Sequence, residues 1–316
     1  MVHVAVIAIT YRRPEGLLKL LHSLQRQRNI SGMLSFKITV IVVDNDAERS
    51  AEATVNSFKE VKNFSVKYIV EPAQGIPLAR NAGMDAVPSD ALFFCFIDDD
   101  EWAGDTWVAE LLAAQNATGA SCVHSGVIPV YPENPPRWLT RSKVFDSWSF
   151  SDGTWLRAAA SNNVMVSTNF VRNAGLRFEE RMRMTGGSDY LFFKQAVDHG
   201  LKIVWASKAS VYEDIPRSRM TFRWIMQRQY RLGNTFSVSA RISGNRPALA
   251  KWFAIGFLRL SLGVVMLPSL LVSPYYGMRA IVHLLRGTGI IAGVCGHSHQ
   301  EYSSKGIAKD RPPAIG

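Results

Sequence analysis

Four carboxylates stand side by side in this chain, at Asp98, Asp99, Asp100 and Glu101, directly after the apolar run Leu92-Phe93-Phe94-Cys95-Phe96-Ile97. Six consecutive apolar residues read as a buried strand. Acids crowded at the end of one strand repel one another, so a fold that keeps them together needs something positive to join them. A divalent metal answers that need, because hard cations take oxygen ligands. The alternative for this stretch taken alone is a solvated acidic turn. In open α/β sheets, ligands bind outside the carboxyl ends of the strands, which is where these acids fall.

Other polar residues occupy equivalent places. Thr10 ends a strand-like segment at 4–10, and Asp44, Asn45 and Asp46 follow a second at 37–43. Helix patterns at 15–27, 48–59 and 76–86 separate these from a short strand at 66–70 and the apolar run. Strands alternating with helices predict an α/β fold with a mostly parallel, doubly wound sheet and helices on both faces. Residues 131–160, rich in Pro, Trp and Ser, read as a long irregular loop, functional or mobile. Its Trp138, Trp148 and Trp155 suit either sugar stacking or capping of the core. A short helix at 170–175, a longer one at 188–199, a strand pair at 202–205 and 209–212, and a basic helix at 220–231 follow.

The charge is unevenly divided. The net charge is +10, yet residues 1–200 carry 20 Lys and Arg against 22 Asp and Glu, and residues 201–316 carry 16 against 4. The second part therefore faces something anionic: a membrane surface, a diphosphate or nucleic acid. Its Arg217, Arg219, Arg223, Arg228, Arg231, Arg241, Arg246 and Lys251 precede an apolar stretch, 252–272, whose single charge is Arg259. A second apolar stretch, 278–295, is broken by His283, Arg286 and glycines. The first is long enough to span a bilayer; Arg259, Arg279 and Arg286 favour an interfacial hairpin equally; a pair of buried core helices is the third reading. Nucleic acid is disfavoured, because the cations precede an apolar hairpin rather than interleave with stacking aromatics. Cys95, Cys122 and Cys295 have no metal or redox spacing and fit a reducing compartment. His124, His199, His297 and His299 show no metal-ligand spacing either. The N-terminus reads as a first strand rather than a signal peptide.

Five motifs lie in one order: Ile9-Thr10-Tyr11-Arg12-Arg13-Pro14, Val42-Val43-Asp44-Asn45-Asp46, the segment from Gly75 through Arg80 and Asn81 to Gly83, the cluster Asp98 to Glu101, and Thr185-Gly186-Gly187-Ser188-Asp189. Together, over roughly residues 3–235, they resemble the family 2 glycosyltransferases, inverting enzymes of the GT-A fold. The C-terminal half is similar to bacterial members that build succinoglycan-type exopolysaccharides. The resemblance implies a Mg²⁺ or Mn²⁺ ion at the Asp-x-Asp positions Asp98 and Asp100, with Asp100 in direct contact and Asp98 orienting the ribose or a metal-bound water. Asp99 is the middle residue, and Glu101 either backs the site or starts a helix. It implies that Thr10 and Asp44 hold the base, with Asp46 as a second contact and Arg80 near base and phosphates. It implies that Asp189 is the catalytic base; Ser188 stands where the family usually has Glu, which puts that Glu's acceptor contact in doubt. For Ser188 and Asp189 a plain helix N-cap is the other reading.

Glu213 or Asp214 falls where relatives carry a metal-touching His. Gln227 to Arg231 lacks the Trp of the processive signature, so one sugar per encounter is expected. Arg228 and Arg231 reach a diphosphate or line a solvated basic face. The organisation expected is a catalytic domain over 1–235, a basic linker over 236–251, a membrane-associated apolar segment over 252–296 and a polar tail over 297–316. The partners implied are a nucleotide-sugar donor, most simply linked to uridine diphosphate, a lipid-linked or saccharide acceptor, and the cytoplasmic face of the inner membrane. Rival readings are a nucleotidyltransferase, for which Arg12-Arg13 is too slight a basic signature, and an inactive membrane scaffold.

Overall fold

The computed structural model describes residues 1–298 except 33, 59, 60, 148 and 184. Trp148, His299 and most of the tail read as 297–316 lie outside the described residues. The chain divides into two compact units.

The first unit comprises residues 1–130, 147–180 and 188–214. It begins with β1 (Val2–Thr10), α1 (Pro14–Gln25), β2 (Phe36–Asp44), α2 (Glu52–Asn56), β3 (Phe64–Val70), α3 (Ile76–Asp85) and β4 (Phe93–Phe96). Next come β5 (Glu101–Ala103), α4 (Trp107–Thr118), β6 (Cys122–His124) and β7 (Val127–Val130). A short helix of the second unit, α5 (Arg137–Ser142), precedes β8 (Trp155–Leu156), β9 (Val164–Ser167) and α6 (Thr168–Asn173). The unit closes with α7 (Ser188–Asp198), β10 (Ile203–Trp205) and β11 (Val211–Asp214).

The large sheet has the order β3-β2-β1-β4-β9-β6-β10-β8. Its first four strands are parallel, while β9 enters antiparallel between β4 and β6. Successive strand residues point to opposite faces. Val4, Val6 and Ala8 therefore pack with Leu17, Leu20, Leu21, Leu24 and Trp107, whereas Ala5 and Ile7 pack with Ala79, Phe178, Phe192 and Phe193. Both faces are covered by helices, as a doubly wound sheet requires. Cys95 and Cys122 are buried core thiols whose pKa burial pushes up.

Two local readings change. The segments read as a strand pair at 202–205 and 209–212 do not pair: β10 joins β6 in the large sheet, and β11 lies in a three-stranded sheet of order β5-β11-β7. The Asn163 side-chain amide holds the Ala209 carbonyl at 2.8 Å and turns the chain out of the first sheet. The stretch read as irregular, 131–160, contains α5 and β8, elements of 6 and 2 residues that are too short to show a period.

The second unit comprises residues 131–146, 181–187 and 215 onward. It contains α8 (Phe222–Ile242), α9 (Arg246–Met266) and α10 (Pro274–Val294). Residues 236–251 are thus helical apart from a turn at 243–245, and the Asn245 side chain caps α9 by accepting from Ala248 N at 2.9 Å. The helices meet through glycine. A Cβ on Gly233 would strike the Arg286 carbonyl, and one on Gly289 the Tyr230 carbonyl. Leu139, Phe145, Ile215, Met220, Ile225 and Met278 form a small core of their own.

Candidate active site

The parallel register sets the frame. Thr10 on β1 lies opposite Asp44 on β2, at the carboxyl ends of both strands. The acid cluster begins two residues after β4, at the same edge. A helix-opening loop carries the counter-charge: Arg13 sits immediately before α1, whose first turn begins at Pro14.

The acids are not equivalent. Asp99 is buried; it accepts from the Thr10 hydroxyl at 2.8 Å and from Arg13 Nη1 at 3.1 Å. The same Arg13 nitrogen reaches Asp100 at 3.1 Å, so one guanidinium spans two neighbouring carboxylates. Burial opposes the Arg13 charge, but Asp99 and Asp100 outweigh it and hold the guanidinium protonated. Burial pushes the Asp99 carboxyl up to about 6 against the pull of Arg13. Asp98 and Glu101 also rise, by burial first and then by their mutual repulsion and that of Asp100 and Glu213. Arg80, on α3, stands 3.8 Å from Asp98 and lowers it only in part. Glu101 turns inward, accepting from Asp98 N at 3.0 Å. It therefore braces the acid loop and sits in a strand, so the helix-start reading for it falls away.

Gly16 allows this approach. A Cβ there would collide with the Asp99 carbonyl, so α1 and the acid loop touch backbone to backbone. Pairing of β5 with β11 sets Glu213 opposite Glu101. On the other face of that pair Trp102 stacks on Tyr212, and Lys19 lies 3.1 Å from the Trp102 ring centre while pairing with Asp214. Of the two acids after Tyr212, Glu213 belongs with the cluster and Asp214 does not.

The β2 end is tightly closed. Asp44 is fully buried and accepts from Ala51 N at 2.7 Å, the Tyr68 hydroxyl at 2.9 Å and Asp46 N at 3.2 Å. Asp46 pairs with Arg12 at 2.7 Å, which draws its carboxyl below the usual range. Asn45 ties the loop before α3, donating to the Glu71 and Ala73 carbonyls and accepting from Gly75 N at 2.8 Å. Both Asp44 and Asp46 thus shape the edge through contacts with their own chain.

Asp189 lies half-buried in the first turn of α7, its carboxylate accepting from Tyr190 N at 2.8 Å. It lies within electrostatic reach of His124, at the end of β6. Asn163 is the hub of that end. Fully buried at φ 53°, it accepts from Trp107 Nε1 at 2.7 Å, donates to the Gly126 and Ala209 carbonyls at 2.8 Å each, and receives the His124 ring at its own carbonyl. Arg228 and Arg231 lie on α8 in the second unit, where Arg228 covers the Phe145 and Trp224 rings. Sequence reasoning placed Arg13 in the first motif without a role and passed over Gly16, Tyr68 and Asn163, because only their tertiary neighbours mark them.

Among the described residues no three His, Cys, Asp or Glu side chains converge on one metal position. Asp98 and Asp100 still fit a divalent cation. They are hard oxygen donors in an over-acidic pocket, and Mg²⁺ is commonly held by one or two carboxylates with substrate phosphates completing the shell.

Residues 5–179 match the Glycosyl transferase family 2 profile. The succinoglycan biosynthesis protein ExoM of Rhizobium meliloti (strain 1021) is 31% identical over 302 residues, 93% of each chain. Among solved structures, S. aureus TarS 1-349 in complex with UDP-GlcNAc superposes with a TM-score of 0.54 at 16% identity, over 91% of this chain and 90% of that one. GalNAc-T7 with UDP, GalNAc and Mn²⁺ gives a TM-score of 0.52 at 14% identity, over 68% of this chain and 44% of that one. These likenesses establish a GT-A architecture with a large mixed sheet. The family profile and the relative alike along nearly its whole length place this chain in glycosyl transferase family 2, and it is a glycosyltransferase.

Proposed function

We propose that this enzyme transfers a sugar, with inversion, from a uridine diphosphate-linked donor to a lipid-linked saccharide during assembly of a cell-surface polysaccharide. The observation that carries the reading is the acid cluster at the end of β4, tied to β1 by Thr10 and to α1 by Arg13. Its four carboxylates and Glu213 outnumber the guanidinium groups of Arg13 and Arg80 beside them, which calls for a cation, and a diphosphate donor brings the phosphate oxygens that complete such a cation's shell. TarS with UDP-GlcNAc and GalNAc-T7 with UDP and Mn²⁺ support the donor and the metal; ExoM supports the pathway class.

Asp98 and Asp100 would hold the ion. When bound, a divalent metal neutralises charge growing on a diphosphate leaving group. Arg80, beside Asp98, faces the phosphates. Thr10, Asp99, Asp44 and Asp46 fix the edges of strands against which the nucleoside rests. Asp189 takes the proton of the acceptor hydroxyl as that oxygen bonds to the anomeric carbon. The bond from this carbon to the diphosphate oxygen breaks, and the nucleoside diphosphate departs with the electron pair.

The helical second unit binds the cytoplasmic surface of a membrane. Residues 246–271 form a helical stretch long and apolar enough to cross a bilayer, and only 11% of an apolar 18-residue segment of it is buried. Arg259, Arg279 and Arg286 favour an interfacial position, because charges at the bilayer centre are costly. Binding of nucleoside diphosphates with and without Mg²⁺ or Mn²⁺ tests the reading. Metal-dependent preference for uridine diphosphate is expected; absence of nucleotide binding under every metal would overturn it.

A further inference from the structure

Between Asp214 and Glu301 the chain has no acidic residue, while 10 arginines and one lysine fall in the same interval. In the second unit several of these cations converge. Arg259 Nη1 on α9 lies 3.5 Å from His283 Nδ1 on α10. One turn further along α10, Arg286 donates from Nε to the buried Gln229 of α8 at 2.7 Å. His283 stands in the field of Arg259, Arg279 and Arg286, and Arg286 in that of Arg259 and Arg228. Among the described residues no carboxylate comes within ion-pair distance of Arg259, Arg279 or Arg286.

Glycine contacts bring together the helix backbones that carry these cations. A Cβ at Gly233 would strike the Arg286 carbonyl, and one at Gly263 would meet Leu284 at 2.7 Å. Like charges this close, with no carboxylate among the described residues within ion-pair distance, suit an anion from elsewhere. Arginine forks match phosphate oxygens in pairs. On α9, Phe257 and Leu258, the two residues before Arg259, are 65% and 67% exposed, and Val265 is 75% exposed. Neighbours one or two apart on a helix do not share a face, so these side chains seat α9 against lipid, and the aliphatic part of the ligand follows from the acceptor proposed above.

We infer that Arg259, His283 and Arg286, with Gln229 and Arg228 alongside, bind the diphosphate of the lipid-borne acceptor, a diphosphate on an aliphatic chain. This rests on the lipid-linked acceptor proposed above. The test uses the full chain in non-ionic detergent, with farnesyl diphosphate, inorganic diphosphate and phosphatidylglycerol vesicles as probes. The variant R259Q/R286Q is compared with R246Q/K251Q, which removes the same charge elsewhere on α9, and H283Q serves if the first fails to fold. Farnesyl diphosphate is expected to bind at least about tenfold more tightly than inorganic diphosphate. R259Q/R286Q should weaken it about tenfold or more, H283Q should weaken it severalfold, and R246Q/K251Q should change it less than about twofold. Equal losses in both double variants would reduce the effect to bulk charge and overturn the site. Equal binding of inorganic diphosphate would overturn the lipid part. An equal loss of vesicle binding would make it a headgroup contact and overturn the acceptor assignment. Uridine diphosphate binding in the same samples reports on the donor reading separately: donor binding without farnesyl diphosphate binding sinks this site alone.

Discussion

Single side chains decide the chemistry at the end of β4. Asp99 spends its oxygens on Thr10 and Arg13, and Glu101 accepts from Asp98 N; Asp98 and Asp100, beside Arg80 and Arg13, are the more exposed pair. D100N is expected to abolish transfer together with metal-dependent uridine diphosphate binding. D189N should lower turnover by about 10²–10⁴-fold, the usual range for a lost general base, with donor binding unchanged. Calorimetry beside a transfer assay separates the two, and near-normal turnover in D189N would remove Asp189 from its role. Gly16 makes a different demand. G16V forces a side chain against the Asp99 carbonyl, so metal-dependent donor binding should fall about tenfold or more while the secondary structure seen by circular dichroism is kept.

At the scale of elements, β9 holds the site edge together. Running antiparallel between β4 and β6, it delivers Asn163 to the point where three strands end. N163A would strand the Trp107 indole and two buried carbonyls, each costing about 1–3 kcal/mol. A loss of about 3 kcal/mol or more is expected in urea unfolding. His124, at the end of β6, adds a pH signature. Burial pushes its pKa down to about 4 from an ordinary 6.5, with its ring nitrogen bonded to the Asn163 carbonyl. The unfolded chain therefore binds a proton that the folded one refuses, and stability is whole above pH 6.5 and falls as the pH drops toward 4. The neutral ring contributes on the order of 3 kcal/mol to this acid loss. The stability gap between the native protein and H124N should narrow across that window; a constant gap would show that the ring titrates normally.

Over the whole molecule, charge and apolar surface are partitioned between parts of the chain. All but two of the acids lie at or before Asp214 while the cations run along the whole chain, so the part after Asp214 is left basic, and it also carries most of the bare apolar side chains. Phe257 and Val265 are 65% and 75% exposed on α9. F257E/V265E is expected to lower binding to anionic vesicles about tenfold or more, since each change withdraws apolar area and adds repelled charge. Binding by the native protein should weaken as salt rises, because its electrostatic share is screened. Salt-independent binding, unaffected by these substitutions, would argue against an interfacial helix.

The sequence by itself determined the order of elements in the first hundred residues and the strand-end position of Thr10, Asp44 and Asp98 to Glu101. Hydrophobic periodicity and adjacency are local, and a strand followed by four acids announces both at once. The apolar character of the C-terminal helices and their missing acids were equally plain, being matters of composition. Only the tertiary structure decided that β9 enters antiparallel, that the two strands after α7 part into different sheets, and that Arg13 answers two acids at once. Those outcomes depend on contacts such as Asn163 with Ala209 and Gly16 with Asp99, between residues far apart along the chain. A four-residue strand carries no period by which to read its direction, and a salt bridge between Arg13 and Asp100 leaves no mark until the fold has closed the distance.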